Sequence, residues 1–93
     1  MESDREYKKL FSRLAMDKDP FKQGTNLCCM AHTSANGYKQ SLKAIESYEM
    51  GRNPTIDVDM HLVSMERSFK ELLLIGYSMA QNLAQIITLE MRE

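Results

Sequence analysis

Residues 55–92 read TIDVDMHLVSMERSFKELLLIGYSMAQNLAQIITLEMR, and the fold turns on how this stretch divides between inside and outside. Steps of four and three from Val58 reach Leu62, Met65, Phe69, Leu72, Gly76, Met79, Leu83 and Ile86. An apolar seam of that period, held over about four heptads, predicts one long helix that packs along its length. From Leu72 onward the helix turns apolar on a second side, through Leu73, Tyr77, Ala80, Ala84 and Ile87. A short chain has few elements of its own to cover both stripes, so the second is expected to meet partner subunits.

Working back from this helix, Thr55 is read as its N-cap, with Asp57 and Asp59 in the first turn where the macrodipole favours negative charge. The expected span is 56–91. Before it, Gly51 supplies a C′ residue for a second helix, and Asn53-Pro54 prevent continuation. That helix is placed at 26–50, with Thr25 or Asn26 as N-cap and Leu27, Ala31, Ser34, Tyr38, Leu42, Ile45 and Tyr48 inward. Asp19-Pro20 could begin a separate turn, with Asp19 as cap and Pro20 at the first helical position, before Gly24-Thr25-Asn26 interrupts. The short connection between the two long helices predicts an antiparallel αα-hairpin.

Ser3-Asp4-Arg5-Glu6 has the form of a capping box, and Tyr7, Leu10, Phe11 and Leu14 follow at helical spacing, which predicts a short first helix over 4–16. At 1.5 Å per residue the third helix is roughly 50 Å long and the second roughly 37 Å. The first helix is therefore expected to cover the overhang of the third and to bring Tyr7 near the loop at 22–26. The expected fold class is all-α: one helical domain over 1–93, a short N-terminal helix plus a long antiparallel hairpin, assembled as a helical-bundle homo-oligomer.

Composition bounds the function. The 93 residues carry a net charge of −1, without the basic excess of a dedicated duplex-binding protein. Cys28 and Cys29 are adjacent and cannot staple a small domain; they are expected as reduced thiols, buried or half-buried. The first residues lack a signal-peptide pattern, and no apolar run is read as approaching a membrane span, so the expected location is cytoplasmic, without membrane contact. Residues 1–22 hold six basic side chains against five acidic ones, whereas 53–93 hold three against six. The basic groups thus gather where a small anion could be received, or simply form a solvated helix face.

No constellation has the completeness of a catalytic or metal centre. Cys28 and His32 share a helix face, but a structural zinc wants four ligands, and His61 falls at the far end of the hairpin. His32, Ser34 and Asp57 lack an oxyanion loop or nucleophile elbow. No catalytic residue, metal or cofactor is assigned. Lys22-Gln23-Gly24-Thr25-Asn26 combines a cation, a glycine, a hydroxyl and an expected helix start, the ingredients of a phosphate site, although such a string also marks an ordinary capped helix.

Tyr7-Lys8-Lys9-Leu10 with Lys22 farther on, and Lys70-x-x-Leu73-x-x-Gly76-Tyr77 with Leu83-Ala84, resemble runs in the phage anti-CBASS proteins that sequester cyclic oligonucleotides. Asp4, Arg5 and Glu6 stand where that family has His-Arg and a glycine before its tyrosine. The resemblance implies that Tyr7 stacks on a purine, that Lys22 pairs with a ring phosphate, and that Thr25 bonds phosphate or base; Lys8, beside Tyr7, and Gly24 and Asn26, from the loop at 22–26, are assigned to the same ligand site. It also implies a hexamer holding ligands between subunits.

The expected function is thus a non-enzymatic, phage-type sponge that removes cyclic di- or trinucleotide messengers in the host bacterial cytoplasm and assembles with itself as a dimer or hexamer. The alternative is a small helical adaptor or inhibitor that binds a protein through the apolar face of the third helix.

Overall fold

A computed structural model describes residues 18–92. The helix expected over 4–16, with Tyr7 and Lys8, lies outside the described residues. Two helices dominate: α1 (Pro20–Glu49, 30 residues) and α2 (Val58–Glu90, 33 residues), with no strand among the described residues.

α1 starts at Pro20 and not near residue 26. The Phe21 N–H donates to Asp19 Oδ1 at 2.9 Å and the Gln23 N–H to Asp19 O at 2.9 Å, so Asp19 is the N-cap. Pro20 then occupies the first helical position, where its fixed φ suits the helix and its missing N–H costs nothing. Thr25 and Asn26 are not caps. Thr25 is within the helix and donates its hydroxyl to Phe21 O at 3.0 Å. Gly24 does not interrupt the helix either, since one interior glycine costs only about 1 kcal/mol. The earlier start nearly equalises the two helix lengths and removes the expected overhang of the third.

The end of α1 is as expected. Gly51 has φ +71°, Gly51 N–H donates to Tyr48 O at 3.0 Å, and Arg52 N–H donates to Ser47 O at 2.9 Å. These are the two bonds of a Schellman motif. α2 is capped by Asp57 and not by Thr55: Met60 N–H donates to Asp57 Oδ1 at 3.1 Å, while the Thr55 hydroxyl donates to Asn53 Oδ1 at 3.2 Å.

The chain divides into two compact units, one of residues 31–74 and one whose described part is 18–30 with 75–92. In the first, α1 turns back into α2 as an antiparallel hairpin, and its buried side chains are serines: Ser34, Ser41 and Ser68. Ser34 Oγ donates to Glu71 Oε2 at 2.9 Å, and Ser41 Oγ lies 3.3 Å from His61 Nδ1. A Cβ on Gly37 would sit 3.2 Å from Ser68 Oγ, so small residues here let the backbones approach closely. In the second unit, Leu27, Met30 and Ile75 form an apolar core beside buried Asn82.

The expected seam of α2 is therefore half right. Val58, Met65, Leu72 and Ile86 are half-buried, but Leu62, Phe69, Gly76, Met79 and Leu83 are exposed. His61, Ser68, Ile75 and Asn82 take the inward positions, one residue earlier in each heptad. On α1, likewise, Ser41 is buried while Tyr38, Leu42 and Tyr48 are exposed.

Candidate functional site

The first turns of α1 carry the expected ligand residues in an altered setting. Phe21, Lys22, Thr25 and Asn26 line a shallow cleft of about 260 Å³. Lys22 and Thr25 are exposed, whereas Gly24 and Asn26 are half-buried. The Thr25 proton is committed to the Phe21 carbonyl, so the hydroxyl retains only acceptor capacity. Lys22, Thr25 and Asn26 are brought together, and Phe21, 58% exposed, joins them. Sequence reasoning passed over Phe21; an aromatic residue directly between a helix-starting proline and a lysine was the available signal.

Gly24 is not part of that cleft. It faces Asn82, and a Cβ added to it would lie 2.8 Å from Asn82 Oδ1. Asn82 Nδ2 donates to Pro20 O at 2.8 Å and to Gln23 Oε1 at 3.0 Å. The glycine thus admits a buried amide that ties α2 to the beginning of α1. That is a packing role where a ligand-binding one was expected.

The outward face of α2 matches the second stripe read from the sequence. Tyr77 is 72% and Ile87 50% exposed, and Ala80 and Ala84 are exposed with them. Leu73, in the unit of residues 31–74, is 58% exposed. Residues 72–89 contain no Asp, Glu, Lys or Arg. By length and composition α2 is long and apolar enough to cross a membrane, which corrects the reading that no run approaches that length. Gln81, Asn82 and Gln85 interrupt the apolar sequence near its middle, where a hydrocarbon environment penalises amides.

Cys28 and Cys29 are exposed, and neither is in a disulfide; the expectation of buried or half-buried thiols fails because both lie on the outer side of α1. His32 is exposed on that helix, and His61 is held against Ser41 in the unit of residues 31–74. No group of three potential metal ligands forms among the described residues.

The described structure defines an all-α protein with a helical hairpin. Comparison of the chain with protein-family models, curated proteins and solved structures gives no match.

Proposed function

We propose that this is a non-enzymatic binding protein that works as a homo-oligomer, self-associating through Tyr77, Ala80, Ala84 and Ile87. One observation carries the reading: α2 turns Asn82 inward and leaves Tyr77 and Ile87 in water. Fully burying such side chains is worth about 1.5–3 kcal/mol each. An apolar exterior beside a buried amide is stable chemistry when the exterior is itself covered. Two of the four side chains are alanines, which permit close approach of a second helix, and the charge-free length of α2 places no ion in the contact.

Light scattering coupled to size exclusion tests this. The native chain is expected to run as an oligomer, and Tyr77→Glu or Ile87→Glu, both at exposed sites, to release monomers with unchanged helicity. A native chain that is monomeric throughout would sink the reading; capture of a foreign protein by the same face would then favour an adaptor or inhibitor.

A second, sharper reading is favoured by the cleft at Phe21, Lys22, Thr25 and Asn26, where an aromatic ring and a cation share one exposed surface. In this reading the oligomer sequesters cyclic di- or trinucleotide messengers, with Lys22 on phosphate and an aromatic ring, Tyr7 or Phe21, stacked on a base. Base stacking on aromatic side chains is worth about 1–3 kcal/mol. Native mass spectrometry with a panel of cyclic di- and trinucleotides is expected to show whole-number retention of one messenger. Lys22→Ala, and Tyr7→Ala combined with Phe21→Ala, should abolish retention and leave assembly intact; retention of none removes this reading and leaves self-association standing.

A further inference from the structure

A different cleft, of about 440 Å³, lies between the start of α1 and the last turns of α2. It shares no residue with the Lys22 cleft. Among the described residues two cations line it, Lys18 and Arg92, and no acidic side chain does. The volume falls within the range typical of small-molecule sites. The two helix ends do not set its polarity, because the positive end of α1 and the negative end of α2 both border it and oppose each other. The side-chain cations do.

The polar groups between them narrow the ligand. Thr88 Oγ1 donates its proton to Ala84 O at 2.8 Å, so towards the cleft it can only accept a hydrogen bond. Gln85 offers both a donor and an acceptor. Pro20 and Leu89 supply apolar surface. An inorganic anion would use the cations and leave the rest idle. A guanidinium binds phosphate oxygens in a two-bond fork, and lysine adds a point charge.

We infer that this cleft binds a small organic phosphate, with its phosphate on Lys18 and Arg92 and a hydroxyl or amino donor on Thr88 Oγ1. The inference is independent of the messenger reading, and Ala84 alone is common to the cleft and the self-association face.

Amide chemical-shift titrations of the native protein test it, with adenosine 5′-monophosphate, ribose 5-phosphate and inorganic phosphate as separate probes. At least one organic phosphate is expected to give saturating shifts at Gln85, Thr88, Leu89 and Arg92, more tightly than inorganic phosphate. The two organic probes separate a nucleotide from a sugar phosphate. Arg92→Gln is expected to weaken binding roughly tenfold to a hundredfold, the range of one charge-assisted contact. Lys18→Gln should weaken it less. Both residues are exposed, so neither substitution endangers folding. No saturation with either organic phosphate, equal affinity for inorganic phosphate, or unchanged binding in both variants would overturn the inference.

Discussion

Gly24 and Asn82 make one feature out of two residues distant in sequence. Replacing a helix-interior glycine by alanine ordinarily gains about 0.5–1 kcal/mol. At Gly24 the added methyl meets the Asn82 amide oxygen at 2.8 Å and displaces an amide that bonds Pro20 O and Gln23. Each such bond is worth about 0.5–1.5 kcal/mol net, so the loss cancels or exceeds the gain. Gly24→Ala is therefore expected to be neutral or destabilising in the native chain, yet stabilising in an Asn82→Ala background. Urea unfolding of the two single variants and the double variant measures the coupling; strict additivity would show that the two side chains do not compete. Gly76 is the control, since a Cβ there meets nothing within 4 Å and alanine should simply stabilise. The sequence showed a glycine followed by a hydroxyl and an amide. It held no sign that the glycine's partner sits on the other helix.

At the scale of the element, both helices start at an aspartate. Asp19 and Asp57 combine a short acceptor with a negative charge at the positive end of a helix, which serves a free backbone N–H better than a threonine hydroxyl already engaged elsewhere. Asp57→Ala is accordingly expected to cost about 0.5–2 kcal/mol by thermal or urea unfolding, and Thr55→Ala to stay within about 0.5 kcal/mol of the native chain. The reverse order would restore Thr55 as the cap. The end of α1 was legible because glycine tolerates φ +71° and the residues after it cannot continue a helix. Its beginning was read too late because the short polar run at 24–26 carries the same residue types as a cap.

For the whole molecule, the question is which apolar surface the chain's own residues cover and what covers the rest. Among the described residues the buried hydrophobic side chains are Leu27, Met30 and Ile75, whereas Phe21, Leu62, Phe69, Leu73, Tyr77, Leu83 and Ile87 are exposed. If a second copy covers Tyr77 and Ile87, association and stability are linked by mass action. The thermal midpoint is then expected to rise with protein concentration for the native chain and to be independent of it for Ile87→Glu. A midpoint insensitive to concentration in both would argue that the face is not closed by self-association.

The sequence by itself determined that the chain is helical, that Gly51 closes one helix before a tight return into another, and that α2 carries more apolar surface than one partner helix covers. Those properties are written in local propensity and in periodicity, which need no knowledge of what lies opposite. Only the tertiary structure decided which of two adjacent columns of α2 turns inward, His61-Ser68-Ile75-Asn82 or Leu62-Phe69-Gly76-Leu83. The two differ by a rotation of about 100° about the helix axis, and hydropathy favours the second. The first prevails because its side chains find specific partners: His61 meets Ser41, and Asn82 meets Pro20 and Gln23. An apolar repeat marks a surface that avoids water without saying whose atoms cover it, and a buried polar side chain is placed only by the partner that bonds it.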